Sequence, residues 1–278
     1  MIKLVAIDMD GTLLKDDKTI SQNTKDIILK ARKNGVKIVL ATGRPMEGLK
    51  STLEFLELDS EEDFVLCFNG ALVENVKTKE VIGQVTIKGE HLHELYKLSQ
   101  TLGTNIHAFS STKGLIAPKM SKYTQVEMDI NNIPIQLMDF NSIEANEDII
   151  KVMLIDEPAI IDKAVANLPK DLYDKYTIVR STPYFLEFLS KKVNKGVGLQ
   201  ILAEYLNIKP IEIMSFGDAG NDIHMIEYAG LGVAMANATN EVKQASQFVT
   251  KSNNEDGVAH AMKQFSLDTI KLLKKKII

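Results

Sequence analysis

The sequence predicts an α/β protein: a Rossmann-like, mostly parallel sheet with helices on both faces, interrupted by an inserted α+β domain. Three observations predict it. Short, unbroken β-favouring runs alternate with helical patterns towards both ends of the chain, as strands buried on both faces require. The middle of the chain loses that cadence. The composition, 45% hydrophobic and 25% charged over 278 residues, suits one large or two modest cores that need no disulfide or metal staple.

Leu4 to Ile7 is the first continuous apolar run and reads as a buried strand. Ser21 can cap a helix whose Ile27, Ile28 and Ala31 share one face, with Asn34-Gly35 as the stop. Val36 to Leu40 and Phe64 to Phe68 read as two more strands, the second closed by Asn69-Gly70. Late in the chain the pattern resumes, with helix Gly198 to Tyr205, strand Ile211 to Phe216, helix Asp222 to Ala229, and short strands at Val233 to Met235 and Gln247 to Thr250. Crossovers between such strands are right-handed. Between the flanks, helix Glu90 to Leu102 and strands Gly114 to Ala117 and Tyr184 to Phe188 mix without a βα rhythm. The domains are therefore expected at 1–84 with 188–278, and at 85–187. The tail Lys271 to Ile278 reads as the end of an amphipathic helix, its lysines suited to the negative end of the helix dipole.

Lys and Arg number 33 against 37 Asp and Glu, a net charge of −4, without the basic excess of a nucleic-acid or anionic-membrane binder. No stretch reaches the roughly 18 apolar residues of a membrane span. The opening run is too short for a signal peptide and is cut by Asp8. The lone Cys67 excludes an intrachain disulfide and a thiolate cluster, and reads as a small buried strand residue. The expectation is a cytoplasmic protein; nothing sets its oligomeric state.

The chemistry gathers at strand ends, where ligands bind in open α/β sheets. Asp8-Met9-Asp10-Gly11-Thr12 follows the first strand. Two such close carboxylates call for a shared proton or a bound cation. Strand parity puts residues i and i+2 on one side, so both can address one small site. Leu40-Ala41-Thr42-Gly43-Arg44 follows the second strand and offers a hydroxyl and backbone N–H groups to an anion, although Thr-Gly is also a commonplace loop and Arg44 equally suits a structural ion pair. Gly217-Asp218-Ala219-Gly220-Asn221-Asp222 follows a late strand. Asp218 and Asp222 meet Asp8 and Asp10 if the strands are neighbours, an oxygen-ligand set that suits Mg²⁺ and not zinc. The alternative is a helix start rich in acids. Lys195, in Asn194-Lys195-Gly196, has no signal of its own and on its own reads as a solvated surface lysine. His91, His93, His107, His224 and His260 show no metalloprotease spacing and read as surface or helix-cap residues. The chain has no G-x-S-x-G elbow, Walker loop or G-x-G-x-x-G.

With these pieces in order, the chain resembles the haloacid dehalogenase superfamily of phosphohydrolases, and within it the Cof-type sugar-phosphate and cofactor phosphatases. The resemblance rests on Asp8-Met9-Asp10-Gly11-Thr12-Leu13-Leu14, Thr42-Gly43-Arg44, Lys195-Gly196 and Gly217-Asp218-x-x-Asn221-Asp222, with Asn69-Gly70-Ala71, Gly232 to Ala238 and Ser252 to Ala259 in the matching order. It implies Asp8 as the nucleophile that takes a phosphoryl group, and Asp10 as general acid and then base. It implies Mg²⁺ held by the Asp8 side chain, the Asp10 backbone and Asp218, with Asp222 one shell out. Met9 and Gly43, through their backbone, with Thr42, Lys195 and Asn221, would bind the phosphoryl oxygens, and Arg44 is a candidate substrate contact. The insertion would be a cap that excludes water and selects a small phosphorylated substrate. Two rivals remain: a phosphomutase on the same scaffold, and a ligand-binding regulator without turnover, which the complete set of acids and Lys195 argues against.

Overall fold

In the computed structural model, which describes residues 1–267, the first apolar run is strand β1 (Leu4–Asp8), buried along its whole length. Helix α1 (Gln22–Lys33) is opened by Ser21, whose hydroxyl accepts the Thr24 N–H, and it buries Ile28 and Ala31. The chain continues through β2 (Lys37–Ala41), the short α2 (Lys50–Phe55) and β3 (Phe64–Cys67), then β4 (Leu72–Asn75) and β5 (Val81–Gln84). The insertion comprises β6 (Ile87–Lys88), α3 (Gly89–Leu102), β7 (Asn105–Ser110), β8 (Gly114–Ala117), α4 (Lys122–Asn131) and β9 (Ile135–Leu137). It ends with β10 (Asp148–Ile155), α5 (Pro158–Ala166), α6 (Leu172–Lys175), β11 (Tyr176–Thr182) and β12 (Phe185–Ser190). The first unit resumes with α7 (Lys195–Tyr205), β13 (Ile213–Gly217), α8 (Ile223–Tyr228) and β14 (Leu231–Ala234), then α9 (Asn240–Ala245), β15 (Phe248–Val249) and α10 (Gly257–Met262).

The first unit is built on one sheet in the order β15-β14-β13-β1-β2-β3-β4-β5. Every pairing from β15 to β3 is parallel, and β4 and β5 add an antiparallel edge. Alternation divides β1 between two layers. Leu4 and Ala6 pack with Val39, Leu66, Leu199, Leu202 and Met225 on the side of α7 and α8, while Val5 and Ile7, equally buried, point to the opposite face. Each fully buried Val, Leu, Ile or Met side chain among them contributes about 1.5–3 kcal/mol. The consequence for function is positional: β1 sits between β2 and β13, so the loops leaving all three emerge along one edge.

The second unit is Val85–Val193, a separate sheet in the order β11-β12-β10-β7-β8-β9 with β6 paired to β10. Its core gathers Leu92 and Leu95 of α3 against Ile106, Ala108, Val152, Leu154 and Phe188. The second crossing between the units falls at Val193/Asn194 rather than after residue 187. The reason is that β12 runs on to Ser190 while hydrogen-bonded between β10 and β11, so its last residues belong to the insertion's sheet. His107 departs from its sequence reading as a surface or cap residue. It is fully buried in β7, its Nε2 3.1 Å from Met153 Sδ, and burial holds its imidazole down at about 3. A polar residue on an interior strand face leaves no periodic mark. Cys67 is buried in β3 as expected. The tail from Lys271 lies outside the described residues.

Candidate active site

Asp8 is the last residue of β1, at the carboxyl edge of the sheet and beside Ala41 of β2. The chain leaves the strand at once. Gly11 takes φ of +83°, and a Cβ there would collide with the Asp218 carboxylate, so only glycine lets this turn press against the loop after β13. Thr12 then donates its hydroxyl to Asp218 Oδ1 at 2.7 Å. Asp218 is thus held against the first loop, 206 residues away in the chain.

Lys195 arrives from a third direction. It begins α7, whose N-cap Asn194 accepts the Val197 N–H at 2.9 Å. The helix can approach because Gly70, at φ +86°, has no Cβ; one would stand 2.5 Å from the Asn194 carbonyl oxygen. The ammonium is fully buried, paired with Asp8 Oδ1 and with Asp222 Oδ1 at 2.7 Å. Asp222 uses its other oxygen to accept the backbone N–H groups of Asp218 and Ala219, each at 3.0 Å. It therefore shapes the loop and holds the lysine together.

Oxygen atoms of Asp8, Asp218 and Asp222 lie within 4.8 Å of one another, an arrangement that could hold a metal ion. Three carboxylates against one ammonium leave two negative charges uncompensated. Burial pushes the Asp8 carboxyl up to about 8, with Asp222 and Asp218 adding repulsion and Lys195 opposing them; burial raises Asp218 as well. Lys195 is held above its ordinary value, because Asp8 and Asp222 outweigh the cost of burying it. A hard divalent cation among these oxygen donors would supply the missing charge, so the residues fit Mg²⁺.

The structure separates Asp10 from this group. Strand parity ends at Asp8, and beyond the turn the Asp10 carboxylate is taken by Arg44 Nη2 at 2.7 and 2.9 Å and by Lys18 Nζ at 2.9 Å. Burial works against its ionisation, but these two cations hold it below the usual carboxylate range. Thr42 is buried beside the end of β2, its hydroxyl accepting the Arg44 N–H at 3.2 Å. Gly43 lies against Asn69, where a Cβ would make a tight contact, 3.3 Å from Asn69 Nδ2. Asn221 is exposed and donates to Asn69 Oδ1 at 3.1 Å. The Met9 side chain is buried in the core, which leaves only its backbone for a ligand.

Asn69, Asn237, Asn253 and Lys18 carry work that residue reading did not assign. Asn69, at φ +57°, donates its N–H to the Thr42 carbonyl at 2.8 Å, and so ties the Thr42 loop to Asn221. Asn237 donates to the Gly11 carbonyl at 2.8 Å, and Asn253 to the Leu14 carbonyl at 3.0 Å, bracing the loop after β1 from the far end of the chain. An Asn-Gly pair signals a turn; nothing local signals a partner so distant in sequence.

The sheet and its acid-rich rim define an α/β enzyme with an inserted α+β unit. Comparison with known proteins gives the family: residues 5–262 match the haloacid dehalogenase-like hydrolases. YxeH of Bacillus subtilis (strain 168), whose name places it provisionally among phosphatases with no substrate, is 44% identical over 96% of this chain and 99% of its own. YcsE of the same organism, named a 5-amino-6-(5-phospho-D-ribitylamino)uracil phosphatase, is 30% identical over 96% of each chain. The solved structure of the HAD subclass IIB sugar phosphatase BT4131 matches with a TM-score of 0.75 at 26% identity, covering 95% of this chain and 98% of that one. The chain belongs to the haloacid dehalogenase-like hydrolase family, and it is a phosphatase.

Proposed function

We propose that the protein is a Mg²⁺-dependent phosphatase of small phosphorylated metabolites, sugar phosphates or phosphorylated cofactors, acting through an aspartyl-phosphate at Asp8. The observation that carries this is the buried Asp8 carboxylate, paired to Lys195 at the sheet edge beside Asp218 and Asp222. The substrate class is supported by the relatives, one named for a phosphorylated ribityl compound and one for sugar phosphates.

Asp8 attacks phosphorus as the ester P–O bond breaks, and Asp10, protonated for this step against the pull of Arg44 and Lys18 towards its ionised form, gives that proton to the departing oxygen. Asp10 then takes a proton from water, whose oxygen bonds to phosphorus as the Asp8–phosphorus bond breaks. Lys195 offsets the repulsion between the nucleophile and a phosphate dianion. Thr42, Asn221 and the backbone at Met9 and Gly43 hold the phosphoryl oxygens. The Asp8 and Asp218 side chains and the Asp10 backbone carbonyl, with Asp222 one shell out, would hold Mg²⁺, which when bound would supply charge neutralisation at the phosphoryl group. Selection of the leaving group is assigned to the inserted unit, 85–193. The protein is expected in the cytoplasm.

A screen of phosphorylated metabolites read by released inorganic phosphate tests this directly. Release with Mg²⁺ and its loss on chelation are expected; isomer formed without phosphate would instead make the protein a mutase. A second expectation concerns stability. Because the folded state raises Asp8 from 3.8 to about 8, it binds that proton more tightly than the unfolded chain. The metal-free protein therefore loses stability as pH rises between those values. Mg²⁺ binds only the folded carboxylates, so it should raise the melting temperature more at pH 8 than at pH 5. An equal or larger shift at pH 5 contradicts the assignment of Mg²⁺ to this cluster.

A further inference from the structure

Arg44 stands out because one of its nitrogens reaches both oxygens of Asp10, at 2.7 and 2.9 Å. The arginine is delivered from a fixed base. Its N–H donates to Thr42 Oγ1 at 3.2 Å and its carbonyl accepts the Phe68 N–H at 3.2 Å, so its backbone is pinned to the ends of both β2 and β3. Lys18 approaches Asp10 from the opposite loop, where φ of +65° turns the chain back on itself between Lys15 and Thr19. Lys18 is the looser partner: its side chain is 66% exposed, against 30% for Arg44. A planar guanidinium is also the better orienter of a carboxylate, since it loses less freedom per hydrogen bond than an ammonium on a flexible stem.

The group thus held, the Asp10 carboxylate, stays out of the Asp8–Asp218–Asp222 cluster. A proton carrier has to stand beside the leaving oxygen, and a carboxylate released into a cation's oxygen shell could not do so. We propose that Arg44 is a positioning residue for Asp10, fixing its carboxylate clear of the acidic cluster so that it can serve the leaving group. This rests on the reading of Asp10 as the proton carrier. It differs from a substrate contact, which would hold the ligand itself, and from a structural ion pair, which would act on stability alone.

The test compares two substrates in the full-length protein. An alkyl phosphate such as glycerol phosphate has a leaving group that needs a proton, and p-nitrophenyl phosphate has one that does not. Arg44→Gln should lower kcat/KM for the alkyl phosphate by about 10- to 100-fold and for p-nitrophenyl phosphate by less than about 3-fold. Arg44→Lys should recover part of the loss. In an Asp10→Asn background, Arg44→Gln should cost nothing further, because the two residues act as one unit. Equal losses on both substrates carried in KM, full additivity with Asp10→Asn, or a lowered melting temperature without substrate selectivity would each overturn the proposal. If the unmodified protein hydrolyses both substrates and Asp10→Asn spares the alkyl phosphate, the proton-carrier reading falls and takes this proposal with it. If no phosphate is released from any substrate, it is the phosphatase mechanism that fails.

Discussion

Asp8→Asn is expected to remove turnover, by at least about 10⁴-fold, while leaving the protein folded. An amide of the same shape keeps the volume at the end of β1 but cannot attack phosphorus. Stability should not fall with it. In the metal-free protein the Asp8 charge is already disfavoured by burial, and Lys195 retains Asp222 at 2.7 Å as its partner. Phosphate release and thermal unfolding of the same preparation check both halves. Near-normal activity would displace Asp8 as the nucleophile, and a collapse in melting temperature would give it a structural role instead.

Lys195→Met should show the opposite balance, losing stability as well as rate. The ammonium is fully buried between two carboxylates, and removing it leaves both without their cation in a dry site. Breaking a buried pair in this way costs about 3–5 kcal/mol. Turnover should fall by about 10²- to 10³-fold, as when a fixed electrostatic donor is lost from an active site. The destabilisation has a sign in pH. Without Lys195 the folded Asp8 carboxyl moves further above its ordinary value of 3.8, so stability drops as pH rises, through about 8 and beyond. Below about 8 both proteins keep the folded Asp8 carboxyl protonated, so the loss relative to the unmodified protein should grow only above that pH. Denaturant unfolding of both at pH 6 and pH 9.5 measures this; a loss that is the same at both contradicts the buried-pair argument.

Much of this architecture was legible in the residues alone. Strands such as Leu4–Asp8 and Phe64–Cys67 are continuous apolar runs, and burial on both faces leaves that mark wherever a parallel sheet is covered by helices. The acids were legible too, because Asp8 and Asp218 directly follow such runs. Lys195 was not. Its importance comes from α7 meeting Gly70 and Asp222, contacts that no local pattern encodes, and only the family resemblance singled it out. The parity argument does not carry past Asp8, because alternation holds only while the chain stays extended and the chain enters a turn at Met9, so the Asp10 carboxylate goes to Arg44 and Lys18. Asn69, Asn237 and Asn253 stand in the stretches that carry the family resemblance, but their bracing roles were not legible because their partners lie on distant loops. His107 and the true end of β12 escaped because a strand inside a mixed sheet has no helical or alternating period to read.

The central claim is that the phosphoryl group passes through Asp8, and trapping it there is the most direct measurement. Asp10→Asn should slow breakdown of the intermediate more than its formation from an activated ester. Acid quenching of that variant with p-nitrophenyl phosphate and Mg²⁺, followed by peptide mass spectrometry, should find the mass of one phosphoryl group on the peptide carrying Asp8, and none after Asp8→Asn is added. Label on another residue, or sustained turnover with Asp8 never labelled, would contradict the account.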